Sequence, residues 1–362
     1  MSGSSMNEAL GRAARLARVA GLKQAARTAF AAVLTQCVVS WLDLPQGYWA
    51  VITVIIVMQA NIGGSIKAGW SRLAGTAVGA VSGATAHFLG GSSLLALGLA
   101  IMLTLSVCTL VRQLRNSMRV AGLTVVIVLL ASHGNEAPPI VALTRFSEIA
   151  VGIVMALLVS TTVWPTRASR AVSRGMAKVF DDLAALFVLA MEGQIEERYP
   201  ATRAFALKDR IVRTLARCRD LSQEADMEDR SEAATQRAIL LFRSERLFEN
   251  ILSMDRIAAE NTGPGLHRHL PEELTTLKTA VASVLTALAA TLRDGVPLPE
   301  RSTLETAVRN AREKLAALRR DRTPAAYALR EVLGFYGFMY GTLACAAEAL
   351  EITGRLDPTA HR

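Results

Sequence analysis

The stretch PQGYWAVITVIIVMQANIGGSIKAGWSRLAGTAVGAVSG, residues 45–83, decides the class of fold. An apolar run at 47–60 leads through a polar turn and two basic residues, Lys67 and Arg72, into a second apolar run at 69–88. Working outward, the first 164 residues contain six such runs, at 24–42, 47–60, 69–88, 92–111, 118–132 and 144–164. A helix crossing hydrocarbon needs about 20 mostly apolar residues. Four of the runs reach that length, and the second and fifth are shorter. The series indicates an all-α membrane protein, since no soluble fold requires it.

Basic residues mark every second connection. Arg12, Arg15, Arg18, Lys23 and Arg27 precede or open the first run, Lys67 and Arg72 separate the second from the third, and Arg112, Arg115 and Arg119 separate the fourth from the fifth. Arg167, Arg170, Arg174 and Lys178 follow the sixth. The opposite connections, near Asp43, Gly90 and His133, offer only Arg145. Short basic loops stay cytoplasmic, so both termini are expected on the cytoplasmic side. The basic tail and first run imitate a secretory signal, but five more runs follow, and the segment reads as a retained anchor.

The formal net charge is +9. Residues 1–164 contribute +7 of it, from 11 Lys/Arg against 4 acids, and 165–362 contribute +2. Charge concentrated on membrane flanks points to topology and anionic headgroups rather than to nucleic acid. Of the four cysteines, Cys37 and Cys108 lie in apolar runs and Cys218 and Cys345 in helical segments. Without CxxC or Cys/His spacing they read as small core residues, with no metal or disulfide role.

Trp164-Pro165 ends the membrane half, because proline disfavours helical geometry in the residue before it. Three regions follow from these signals: a basic tail at 1–23, a six-span domain at 24–164 and a cytoplasmic antiparallel helical bundle of five or six helices at 165–362. Ser302 with Glu305 forms a capping box, and Thr323-Pro324 gives a cap with proline at the first helical position. Leu329, Leu333, Tyr336, Tyr340, Leu343, Ala347 and Leu350 recur at spacings of four and three and predict the buried face of the last helix, within the bundle or at a dimer seam. Leu247, Ile251, Met254 and Ala258 repeat the pattern in a middle helix. No nucleotide loop, nucleophile elbow or metal spacing appears, so neither an enzyme nor a cofactor is expected.

The candidate transport residues lie at interruptions of the apolar runs. Tyr48 and Trp49 are amphipathic aromatics suited to a membrane boundary or to an outward vestibule where an aromatic solute stacks. The turn Gln59-Ala60-Asn61-Ile62-Gly63-Gly64 reads either as a plain helix cap or as exposed backbone lining a cavity. Gly75, Gly79 and Gly83 share one helix face and let another helix approach closely. Glu148, with Arg145 one turn earlier, is the strongest candidate, because a carboxylate inside a span faces a partner or a wet cavity. The pair reads as a structural ion pair or as a proton-linked or substrate-linked one. His87 and His133 fall near the outer ends of spans and add little.

Residues 45–83 and RFSEIAVGIVMALLVSTTVWP, residues 145–165, resemble the signatures of the fusaric acid resistance and aromatic acid exporter superfamily. The resemblance covers most of the chain and rests on Tyr48, Trp49, Asn61, Gly64, Arg72, Gly75, Thr76, Gly79, Arg145, Gly152, Trp164 and Pro165. It implies export of aromatic or other organic acids and a homo-oligomer. Larger members contain two membrane halves. This chain shows one, so a homodimer or higher homo-oligomer, and an accessory efflux subunit, are the implied partners beside the lipid bilayer.

In the leading reading Arg72, Lys67 and Arg115 form a cytoplasmic mouth for an organic anion, Arg145 receives it nearer the outside, and Glu148 regulates that arginine or carries a proton. The alternative is a non-transporting membrane scaffold or sensor whose helical domain recruits a partner.

Overall fold

The structure, a computed structural model, describes residues 3–91, 93–131, 138–195, 199–229, 232–260 and 265–356. Among these residues every regular element is a helix, and the chain divides into two compact units, 1–168 and 169–362.

The first unit contains α1 (Gly3–Trp41), α2 (Tyr48–Val57), α3 (Ile62–Gly90), α4 (Leu94–Leu110), α5 (Met118–Ala131) and α6 (Pro138–Thr162), with a 3-10 turn at Arg112–Ser117. The basic tail is thus the beginning of α1 rather than a separate segment. Its Ala, Leu and Arg residues are strong helix formers and nothing between them breaks the run. The polar turn after α2 holds two caps, the C-cap of α2 at Met58, whose N–H donates to the Val54 carbonyl, and the N-cap of α3 at Asn61. Met58 leaves helical geometry, and Asn61 caps the next helix, its side chain accepting from the Gly64 N–H at 2.7 Å. The third helix therefore starts seven residues before the apolar run it carries.

Side-chain register fixes how the helices run. Gln24 and Arg27 of α1 reach the carbonyls of Met58 and Gln59 at the end of α2, so α1 opposes α2. Arg72 of α3 meets Thr53 of α2, and Ser65 of α3 meets Ser160 of α6. Gly75, Gly79 and Gly83 meet Val120, Thr124 and Val128 in step, so α3 and α5 are parallel. A methyl group at Gly75 would lie 2.8 Å from Val120 Cβ, and one at Gly79 2.6 Å from Thr124 Cβ. The glycine face is consumed within the chain.

Thirty large apolar side chains are exposed among the described residues of the first unit, from Val19 to Trp164, against seven in the second. Among the described residues three helical segments are long and apolar enough to cross a membrane: Arg112–Leu130, Ile140–Thr162 and Pro271–Asp294. Tyr48–Val57 and Leu94–Leu110 are apolar but shorter. The segment Pro271–Asp294 belongs to the second unit, where Leu274, Leu277, Val281, Leu285 and Leu288 are spent on a protein core.

That unit comprises α7 (Ala168–Ile195), α8 (Ala201–Glu228), α9 (Glu232–Glu260), α10 (Pro271–Asp294), α11 (Ser302–Arg320) and α12 (Leu329–Leu356). Arg243 of α9 pairs with Glu348 at 3.0 Å and Glu351 at 3.1 Å, while Met254 lies against Thr342 and Cys345. The two helices therefore run antiparallel. Leu247, Ile251, Met254 and Ala258 are buried as their repeat indicates. Tyr199 donates to Asp255, which also accepts from Lys208 at 2.6 Å. Burial and then that carboxylate raise the Tyr199 phenol well above its ordinary range.

Three expectations fail here. The core face of α12 is Phe335, Phe338, Met339, Thr342, Cys345, Ala346, Ala349 and Ile352. Of the expected stripe Tyr336, Leu343 and Leu350 are half-buried beside it, whereas Leu329, Leu333 and Tyr340 are exposed, so within the bundle the expected face is not the buried one. Two interleaved stripes share this helix, and spacing alone does not rank them. Ser302 makes no capping bond: Arg301 occupies the cap position with near-helical backbone angles, and pairs with Glu305 at 3.7 Å. Thr323-Pro324 opens a 3-10 turn, Thr323–Ala326, preceded by Arg322 in the left-handed region, and α12 starts only at Leu329. Cys108, Cys218 and Cys345 are buried, but Cys37 is exposed.

Candidate anion site

A carboxylate and two guanidinium groups inside an apolar unit must find partners, because an unpaired buried charge costs several kcal/mol. Glu148, wholly buried, accepts from the Gln46 backbone N–H at 3.0 Å and lies 3.5 Å from Arg145. Arg145, 6% exposed, also donates to the Gln46 side chain. Its guanidinium carbon sits 4.5 Å from the centre of the Trp49 ring, in cation–π geometry. The loop residue Gln46 thus clamps both members of the ion pair, while the first turn of α2 supplies the aromatic face.

Gly152 makes this arrangement possible. A methyl group there would lie 2.5 Å from the Ala50 carbonyl and 2.7 Å from Thr53 Cβ, so only glycine lets α6 approach α2 this closely.

Arg72 reaches the same place from α3. It is 7% exposed, and its Nε donates to Thr53 Oγ1 at 3.0 Å. The Thr53 hydroxyl spends its own proton on the Trp49 carbonyl at 2.7 Å. Trp49, Arg72 and Arg145 together line a partly open cavity of about 60 Å³, with Val120, Leu123, Thr124 and Ile127 of α5 and Ile149 completing its lining.

The structure therefore gathers Trp49, Arg72, Arg145 and Glu148. Tyr48 is exposed beside them, its ring 5.5 Å from Trp49 and its hydroxyl donating to Gln46 at 3.4 Å. Lys67 and Arg115 do not line this cavity, and Arg115 is exposed on the 3-10 turn. Arg72 belongs with Arg145 rather than with them. Asn61 serves as a helix cap. His87 closes the last turn of α3, and His133 lies outside the described residues.

Three participants were not singled out from sequence. Gln46 and Thr53 are ordinary polar residues whose importance comes from what they meet. Arg27 was counted among topology charges, yet it is 3% exposed and donates to Gln24 at 2.8 Å, to the Gln59 carbonyl and to the Trp164 carbonyl at 3.4 Å. Its position inside the run 24–42 was the available signal. Trp164 itself adopts a left-handed conformation, φ 47°, just beyond α6.

Buried guanidinium groups beneath an outward apolar surface are the arrangement of a helical membrane protein. The model of the Fusaric acid resistance protein family matches residues 22–361, nearly the whole chain, and the chain belongs to that family. Its members are membrane transport and efflux proteins. No curated protein matches the chain.

Proposed function

We propose that this protein is a secondary exporter or channel for organic anions, aromatic carboxylates in particular, in a bacterial inner membrane. One observation carries the proposal: Arg72 and Arg145 converge with Trp49 on one cavity inside the apolar unit. Guanidinium groups recognise carboxylates by charge and by their planar fork of donors. Glu148 offsets the charge of Arg145, so an arriving anion competes for that arginine instead of finding it bare.

The proposal places residues 24–164 across the membrane six times and residues 165–362 in the cytoplasm as a helical domain. Alternating helix directions support this, with α1 opposing α2 and α3 opposing both α2 and α6. The basic residues at alternate connections support it independently. A cavity of about 150 Å³ is the size that takes a benzene ring. The 60 Å³ present here is too small. Passage of an aromatic acid therefore requires the helices around Trp49 to separate, and a complete pathway takes a second copy of the chain.

Uptake of labelled benzoate into inverted vesicles tests the proposal. Accumulation above empty vesicles, lost in Arg145→Ala, supports it, and accumulation unchanged by that substitution removes Arg145 from the path.

A second reading, a membrane scaffold, draws on the exposed Leu329, Leu333 and Tyr340 of α12. Pull-down with the full chain that recovers a stoichiometric partner, with no flux in vesicles, favours it.

A further inference from the structure

We infer that the cavity beside Arg72 holds a compact monoanion, a halide or the carboxylate of a one- or two-carbon acid, as a resident ligand. The inference shares a cavity with the transport reading but does not depend on it.

The three buried arginines of the first unit are not equally satisfied. Arg27 divides its donors among two backbone carbonyls and the Gln24 side chain. Arg145 has Glu148, Gln46 and the Trp49 face, so although its Nη1 and the Arg27 Nε make no hydrogen bond, both guanidinium groups keep partners on their other nitrogens. Arg72 has one neutral partner, the Thr53 hydroxyl, bound through Nε. Among the described residues no acceptor meets its Nη1 or Nη2, although the side chain is more than nine-tenths buried and lines the cavity.

Charge gives the same answer. Glu148 is the buried carboxylate of the unit's described residues, and it lies against Arg145. Arg72, Arg145 and Glu148 leave one uncompensated positive charge around a space lined otherwise by apolar side chains and Thr124. Arginine does not lose its proton in proteins, and where Arg27 sets its Nη atoms against backbone carbonyls Arg72 faces the cavity instead, which leaves the countercharge to a ligand. A single anion supplies it.

Size selects the kind of anion. A cavity of about 60 Å³ is well below the roughly 150 Å³ that accepts a benzene ring, but far above the 10–15 Å³ that admits one water. A chloride, bromide, formate or acetate fits, and a sugar acid such as gluconate does not. Two guanidinium groups and no free carboxylate give the walls the sign such an ion requires.

The test uses the full-length protein in detergent, with its thermal unfolding followed in sodium gluconate and then at equal ionic strength with chloride, bromide or formate added. The expected result is a saturable rise of a few degrees in the midpoint with the compact anions. A rise with halides alone assigns the site to an inorganic ion, and a rise with formate alone assigns it to a carboxylate. In Arg72→Met the rise should vanish. Because that variant could fail to fold, bromide anomalous scattering from crystals of the parent gives a second readout, with a peak expected beside the Arg72 guanidinium. Equal midpoints in gluconate and in every compact anion, an anion effect that survives Arg72→Met, or a bromide peak only elsewhere would overturn the inference. Benzoate flux in vesicles is measured separately, so an anion-dependent midpoint without flux sinks the transport reading while leaving this one standing.

Discussion

Thr53 and Arg72 meet across α2 and α3, the arginine Nε donating at 3.0 Å to a hydroxyl that itself donates to the Trp49 carbonyl. The hydroxyl thus links the guanidinium to the backbone that carries the aromatic face. Thr53→Val keeps the shape and removes the acceptor. Leaving a buried donor unsatisfied costs about 1–3 kcal/mol, so the unfolding midpoint should fall, with benzoate uptake reduced in the same vesicles. A midpoint equal to the parent's would show that Arg72 does not use this bond.

Glu148 and Arg145 separate structure from function. Glu148→Gln leaves the buried arginine without its carboxylate, a change that typically costs about 3–5 kcal/mol. Replacing both, as Arg145→Met with Glu148→Leu, removes the charges together and should recover most of that stability while transport stays lost. Thermal midpoints of the single and double variants, read beside flux, check this. Full flux in the stable double variant would make the pair purely structural.

The contact between α3 and α5 leaves no room at Gly79. A leucine there must displace Thr124 or the α5 backbone, and overpacking of this kind costs about 1–3 kcal/mol. Val81→Leu, two residues on and exposed, should be silent. Calorimetry of both variants tests the assignment of the glycine face to a contact within the chain.

Cys218 gives a pH-dependent prediction in the second unit. Burial raises its thiol to about 11, against some opposition from Arg217. A folded-state value above the unfolded 9.0 favours the folded state while the thiol stays protonated. That contribution is complete below pH 9 and disappears as pH rises toward 11. Iodoacetamide at pH 8 should therefore leave Cys218 unlabelled in the native protein and label it after denaturation, which peptide mapping can follow. Labelling at equal rates in both states would contradict its burial.

The sequence made the apolar runs, the glycine spacing and the Arg145–Glu148 pair legible because each depends on local periodicity. Trp49, Arg72, Arg145 and Glu148 were all singled out, but their meeting was not foreseen. It depends on the helix register and on Gly152, which allows α6 to close on α2. Sequence alone groups Arg72 with Lys67 and Arg115 because all three fall at basic connections on the same side of the membrane. Eleven residue steps of helix separate Asn61 from Arg72 by about 16 Å, enough to carry it from the turn into the interior. On α12 two apolar stripes coexist, and only the neighbour, α9, decides that Phe338 and Met339 are inside while Leu333 and Tyr340 are not. The capping box at Ser302 failed for a similar reason, since Arg301 already takes the cap position.

The central claim, that anions pass the guanidinium groups of Arg72 and Arg145, is tested most directly by benzoate counterflow in proteoliposomes containing purified parent, Arg72→Met or Arg145→Ala. The account predicts rapid exchange in the parent and, in variants shown to be folded, a loss of at least about tenfold, the factor that corresponds to 1.4 kcal/mol. Equal exchange in all three preparations would contradict it.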